Sequence, residues 1–296
     1  MILKNIGIVG LGLMGSACAT RLSDAGFDVH GYDVDAARTA AFTFERRYPA
    51  ASIDALARNC DAIVLCVFDT AQVEGVVEGP RGLIEAMRTV ERRPIVICTS
   101  TCDPDRIAAL AARCEAAGLP FVEMPISGTS GSLAKGDAVG LAAGKASDVE
   151  RARPVLLALC PKVHDLGAAG NGGKAKLAVN LVLGLNRGAM AEGLVFAERL
   201  GLDPVDFLRV LTGSAAHSRV MDVKGPMMAS RHFAPVQSRV DQSLKDFSLI
   251  LAQGAGRGQS LPFATVYARM LEDCVSHGEA TGDNALIVAA IARQRA

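Results

Sequence analysis

A chain of 296 residues, half of them apolar, has material for two domains or one large one, each able to bury a core. Its 31 Lys and Arg balance its 31 Asp and Glu, so no net field draws it to nucleic acid or to an acidic membrane, and both are set aside as partners. Glycines interrupt every long uncharged apolar run, which reads as a soluble protein that does not span a membrane. Eight cysteines are scattered without a CxxC pair, several in or beside apolar runs where a reduced thiol acts as a small hydrophobe. Metal and disulfide roles are therefore not expected, and the compartment expected is the cytoplasm.

Residues 5–9 form a short β-rich run, followed by Gly10-Leu-Gly12-Leu13-Met14-Gly15. Residues 16–25 read as a helix closed by Gly26, and residues 27–33 as a second strand ending at Asp33. Strand, G-x-G-x-x-G, helix, strand and acid is the dinucleotide-binding fingerprint in its required context. Gly10 permits the tight turn, Gly12 lets a pyrophosphate approach the backbone, and Gly15 lets helix and strand pack closely. The anion then rests on a helix N-terminus, with Leu13 and Met14 beside it. A carboxylate at position 33 accepts hydrogen bonds from a ribose 2′-hydroxyl and repels a 2′-phosphate, which favours NAD over NADP. Arg38 is the only basic neighbour, and the competing role for Asp33 is to cap a helix starting near residue 36.

The alternation continues. Residues 62–67 are apolar without period-two alternation, as in a buried parallel strand, and Asp69 or Thr70 should cap the next helix. Another strand at 95–98 ends in Thr99-Ser100-Thr101, Asp103-Pro104 opens a helix to 117, and residues 121–123 form a further strand. Ligands of doubly wound sheets lie beyond the carboxyl ends of the strands. Val67, Phe68 and Thr101 should therefore line the cofactor, with Cys102 beside them as lining and not as a nucleophile. The stretch 124–136 reads as a small-residue loop. Its Ser127, Gly128 and Thr129 offer a hydroxyl and unhindered amides for an anion, or simply mark a flexible surface loop. A strand over 137–143, a helix opened by Ser147-Asp148 and a last strand from residue 162 complete the first half.

From Gly167 strand signals stop. Four glycines at 167, 170, 172 and 173 precede a proline-free helix that Gly201 can cap. About thirty residues at ~1.5 Å each make a rod of ~45 Å, long enough to belong to two domains. On it Lys176 and Asn180 share a face one turn apart; spacing alone suits equally a site and an exposed Lys beside a helix-facing Asn. Helices follow at 204–211, at 217–228 with a break at Gly225-Pro226, at 242–253 with Lys245, at 262–277, and after Asp283. His217 and His232 belong to no motif and read as surface or satisfied core residues. The expected fold is α/β: an N-terminal Rossmann domain with a doubly wound parallel sheet (1–165), followed by an all-α C-terminal domain (166–296) joined by a long interdomain helix.

Four motifs then align in order. Gly10, Gly12, Met14 and Gly15 match G-x-G-x-M-G. Pro125, Ser127, Gly128 and Gly131 match a segment close to D-A-P-V-S-G-G-x-x-G-A. Gly167, Gly170, Gly172, Lys176 and Asn180 complete G-x-x-G-x-G-x-x-x-K-x-x-x-N, and Lys245-Asp246-Phe247 is similar to K-D-L. The chain thus resembles the β-hydroxyacid dehydrogenase family, which includes 3-hydroxyisobutyrate, tartronate semialdehyde and threonate enzymes and is related to 6-phosphogluconate dehydrogenase. The resemblance implies NAD-dependent hydride transfer at the hydroxyl-bearing carbon of a short 3-hydroxy acid. It implies Lys176 as general acid/base, Asn180 orienting the substrate oxygen, and Ser127, Gly128 and Thr129 holding the carboxylate. It places Lys245 at the cofactor and implies a homodimer or homotetramer. Oxidation needs the free amine of Lys176, which burial or a nearby cation would favour. The chain departs from the pattern with Glu123-Met124 for Asp-Ala and Thr129 for the second Gly, which leaves the acid unidentified. Two rivals remain: a small-aldehyde reductase acting on glyoxylate or succinic semialdehyde, and a non-catalytic NAD-binding protein. Imine-reducing relatives generally replace the lysine that this chain keeps.

Overall fold

The computed structural model describes residues 3–88, 90 and 92–294. It divides into two compact units, Met1–Lys176 and Leu177–Ala296.

The first unit alternates strands and helices: β1 (Asn5–Val9), α1 (Leu13–Asp24), β2 (Asp28–Tyr32), α2 (Ala36–Ala41), β3 (Arg47–Pro49), α3 (Ile53–Asn59), β4 (Ala62–Leu65), α4 (Thr70–Glu78), α5 (Leu83–Ala86), β5 (Ile95–Cys98), α6 (Pro104–Ala116) and β6 (Phe121–Glu123). After these come β7 (Ile126–Ser127), α7 (Ser130–Ala134), β8 (Val139–Gly144), α8 (Ala146–Leu159) and β9 (Lys162–Asp165). The described strands form one sheet in the order β3-β2-β1-β4-β5-β6-β8-β7, with β9 on β8. Every residue of β4 and β5 is buried, because helices cover both faces of the sheet. One face packs on α1 and α8 through Cys18, Leu22, Ala152 and Leu156; the other packs on α3 to α6 through Leu56, Val77, Leu83 and Leu110.

The sheet is parallel from β3 to β6, as expected, but β8 runs antiparallel to both β6 and β7. The loop expected at 124–136 contains β7 and α7. Thr129 caps α7 by accepting the Ser132 N–H, which nucleates a turn where small residues alone suggested none. Asp69 caps α4 and Asp103 caps α6, whereas the cap of α2 is Asp35 and not Asp33.

The second unit is helical. α9 (Asn171–Arg199) starts in the first unit and is followed by α10 (Pro204–Thr212), α11 (Arg219–Ser230), α12 (Val240–Gly256), α13 (Pro262–Ser276), a 3₁₀ turn (Asn284–Leu286) and α14 (Ile287–Arg293). α11 was expected to break at Gly225-Pro226 but continues through both. A proline inside a helix costs roughly 3 kcal/mol, while α11 buries Val220, Met221, Met227 and Met228 in the core. Gly225 helps, since a Cβ there would lie 2.6 Å from Leu208 Cδ1 of α10. Gly184 and Gly188 make the same allowance on α9: Cβ atoms there would lie 2.4 Å from Phe247 and 2.9 Å from Tyr267, whose rings are 4.5 Å apart. Lys224 and Asp283, both fully enclosed, pair through Nζ–Oδ distances of 2.6 and 2.7 Å, tying α11 to the 3₁₀ turn. Asp283 also caps that turn, in place of a cap directly on the last helix. No helix among the described residues is long and apolar enough to cross a membrane.

Candidate active site

The glycines of the β1–α1 turn divide into two kinds. Gly10 has φ +94°, and a Cβ there would lie 2.6 Å from the Cys66 carbonyl; a Cβ on Gly15 would lie 1.8 Å from the Gly10 carbonyl. Those two are required by the protein's own packing. Gly12 is different: a Cβ there would find only the Arg38 guanidinium, at 4.0 Å. Gly12 also begins α1 without a capping side chain, so the first amides of a twelve-residue helix lie behind an unfilled approach. This cradle fits a pyrophosphate. Leu13 is exposed at the helix start, and Met14 packs against the core.

Asp33 closes the same turn. Only 8% exposed, its Oδ2 accepts the Leu11 N–H at 2.7 Å and its Oδ1 accepts the Asp35 N–H at 2.9 Å. Each oxygen keeps a lone pair for a ribose hydroxyl. The Arg38 guanidinium stands 3.6 Å from Asp33 and 3.3 Å from Asp35, held by carboxylates on both sides. At the next strand end Val67 and Thr101 are half-buried and Phe68 is exposed, with the Ser100 hydroxyl donating to the Val67 carbonyl at 2.7 Å. Cys102, expected beside them as lining, is 3% exposed and belongs to the core; its small apolar side chain packs better there than at a wet surface.

Beyond β6 the chain turns back toward the start of α9. Ser127 is half-buried, and Gly128 has φ +150°, a conformation that favours glycine. The Thr129 hydroxyl is engaged with Ser132 in the cap of α7. Lys176 is 6% exposed and does not reach into bulk water; its Nζ donates to the Ile126 carbonyl at 2.7 Å, one residue from Ser127.

Sequence reasoning noted Glu123 only as a departure from a motif. In the structure it is 2% exposed. Its carboxylate accepts the N–H groups of Gly170, Gly172 (3.0 Å) and Gly173 (3.1 Å) at the start of α9. The glycines there let the backbone approach the protein itself. Cβ atoms on Gly170 and Gly172 would lie 2.9 Å from the Pro104 carbonyl and 2.6 Å from the Leu141 carbonyl. Burial pushes the Glu123 carboxyl up to about 7, against the pull of the three amides and of the Lys174 ammonium. A carboxylate ending an otherwise apolar strand was the signal that could have found it.

Within the helical unit, Asn180 Nδ2 donates to Asp246 Oδ2 at 2.8 Å, and Lys245 Nζ lies 2.8 Å from Asp246 Oδ1. The K-D-F motif thus fixes the Asn180 amide through Asp246, a role that spacing did not reveal. His217 pairs with Asp222 at the surface, and the His232 N–H closes the end of α11 on the Met227 carbonyl.

Comparisons with known proteins bear on the family and the fold. A family model of the NAD binding domain of 6-phosphogluconate dehydrogenase matches residues 5–167, and one of the NAD-binding of NADP-dependent 3-hydroxyisobutyrate dehydrogenase matches residues 170–291. L-threonate dehydrogenase of Cupriavidus necator is 31% identical over 286 residues, 96% of this chain and 95% of that one. 2-Hydroxy-3-oxopropionate reductase of Escherichia coli is 26% identical over 97% of this chain and 96% of its own. A solved structure of 3-hydroxyisobutyrate dehydrogenase from Salmonella typhimurium superposes with a TM-score of 0.86 at 26% identity, covering 97% of this chain and 99% of that one. Fold and motifs define a dinucleotide-binding oxidoreductase with a Rossmann unit and a helical unit. The chain belongs to the β-hydroxyacid dehydrogenase family.

Proposed function

We propose that this NAD(P)-dependent hydroxyacid oxidoreductase uses NAD and acts on a short 3-hydroxy acid of the hydroxyisobutyrate, glycerate/tartronate semialdehyde or threonate kind, with Lys176 as its acid–base group. The observation that carries this reading is the enclosed Lys176 amine on the carbonyl of Ile126, the residue that precedes Ser127, Gly128 and Thr129 in sequence. An amine so enclosed can exchange a proton with a hydroxyl or carbonyl oxygen without competition from bulk water. Bound nicotinamide supplies the hydride chemistry at its C4. On oxidation Lys176 takes the proton from the substrate hydroxyl oxygen; on reduction its ammonium returns a proton to the carbonyl oxygen. Asn180, its Nδ2 held by Asp246, keeps its Oδ1 to accept the substrate hydroxyl. The Ser127 hydroxyl and the amides of Gly128 and Thr129 hold the substrate carboxylate. Thr129 takes part through its amide, since its hydroxyl caps α7.

NAD is supported by the Asp33 carboxylate, which would repel a 2′-phosphate, and by Arg38, which is already held by Asp33 and Asp35. The phosphate cradle consists of Gly10, Gly12, Leu13, Met14 and Gly15, with Val67, Phe68 and Thr101 along the strand ends and Lys245 assigned to the cofactor by its motif. The domains divide at 165/166 on this reading. A homodimer or homotetramer is supported by an uncovered apolar stripe on α9: Val182 is 59% and Phe196 64% exposed, with exposed Ala189 between them at seven-residue spacing. Eight free cysteines support a reducing compartment such as the cytoplasm.

The test is a spectrophotometric screen of hydroxy acids of ~C3–C5, within the size such a pocket holds, with NAD and NADP in parallel. Turnover of a 3-hydroxy acid with NAD is the expected result. Turnover of small aldehydes alone would make the protein a glyoxylate- or succinic-semialdehyde-type reductase, and no turnover at all would leave an NAD-binding protein.

A further inference from the structure

We propose that Glu123 is a positioning residue for the reaction, its carboxylate fixing the first turn of α9 and thereby the location of the Lys176 amine. The inference rests on the acid–base reading of Lys176.

A buried carboxylate is costly unless it is paired or well hydrogen-bonded. Glu123 takes its hydrogen bonds from backbone amides: Gly170 ahead of α9, and Gly172 and Gly173 in its first turn. A helix that needed only an end could be capped by a Ser, Thr or Asp just before it. Here that position is Gly170, and the cap comes instead from a strand 47 residues away in sequence. The glycines permit the approach: a Cβ on Gly172 would lie 3.0 Å from the Glu123 carboxyl carbon.

Lys176 follows directly on the turn held in this way, since three residues from Gly173 rise only ~4.5 Å. From Lys176 the amine returns to the Ile126 carbonyl, three residues after Glu123. Strand end, helix start, amine and carbonyl therefore form a closed circuit with Ser127 at its edge. A shift of α9 along its axis moves the amine relative to Ser127, and a misplacement of ~1 Å can cost ~100-fold in rate. Glu123→Gln keeps the shape but turns an NH₂ donor toward amide donors, so at least one of the three bonds is lost.

The experiment compares full-length wild type, E123Q, E123D and K176A with the hydroxy acid found in the screen. It measures kcat, the Kd for NAD+ and the rate at which N-hydroxysuccinimide acetate acetylates Lys176, read by peptide mass spectrometry. E123Q should lower kcat at least ~10-fold and speed Lys176 acetylation at least ~10-fold, with the Kd for NAD+ within about twofold. E123D, which keeps the charge but is one methylene shorter, should fall between E123Q and wild type and serves as the comparison if E123Q does not fold. Wild-type kcat and acetylation in the Glu123 variants, with K176A inactive, would overturn the positioning role. So would a loss of NAD+ affinity that matches the loss of kcat. An active K176A would instead overturn the acid–base reading of Lys176, while acetylation of Lys176 in E123Q and E123D would still report whether Glu123 holds the amine.

Discussion

Asp33 and Glu123 are two buried carboxylates that a sequence presents alike but the structure uses differently. Asp33 accepts one backbone amide on each oxygen at the β1–α1 turn, where on the proposed reading its charge would select the cofactor. Asp33→Asn should raise the Kd for NAD+ about tenfold, ~1.4 kcal/mol, and narrow the preference over NADP, both measurable by fluorescence titration. Unchanged affinities would remove Asp33 from cofactor recognition. Glu123 accepts three amides at and just before the start of α9, and its titration affects stability. Its carboxyl, ordinarily near 4.5, is pushed by burial to about 7 in the folded protein. Between those values the folded state holds a proton that the unfolded state has released, so this group makes stability fall as pH rises from 4.5 to 7 and level off above. Melting temperatures should therefore decline less across that window in Glu123→Gln than in wild type; parallel profiles would contradict the shift. Asp33 was legible in the sequence because a local motif ends on it. The partners of Glu123 are far along the chain, and no spacing rule reaches them.

Among the elements, the β1–α1 turn separates packing from binding. Gly15→Ala forces a Cβ to within 1.8 Å of the Gly10 carbonyl, so the turn must open: melting temperature and NAD+ affinity should both fall. Gly12→Ala adds a methyl into unfilled space and should leave melting unchanged while NAD+ affinity drops at least ~10-fold. Equal effects of the two changes on melting would contradict the division of roles. The strand–glycine–helix order of this turn was readable because each step is local, and so was α9, whose proline-free run ends before Gly201. What could not be read came from tertiary packing. α11 passes through Pro226 because its buried methionines outweigh one lost hydrogen bond. β8 reverses direction against β6, and α7 forms because Thr129 finds Ser132.

At the scale of the whole molecule, each unit has its own core, and α9 belongs by sequence to both. Its uncovered stripe leads to the expectation that Val182→Asp together with Phe196→Asp shifts the protein toward monomer in light scattering, with the melting of a folded chain retained. A wild type that is monomeric at micromolar concentration would contradict that expectation. The family was visible in four short motifs because they carry chemistry, whereas the acid it turns over depends on pocket shape that composition does not encode. The central claim is that the amine of Lys176 moves the proton. The most direct measurement is single-turnover NADH formation by Lys176→Ala saturated with NAD+ and the best hydroxy acid. The account predicts a rate at least ~100-fold below wild type with NAD+ affinity intact. A single-turnover rate within a few-fold of wild type would contradict it.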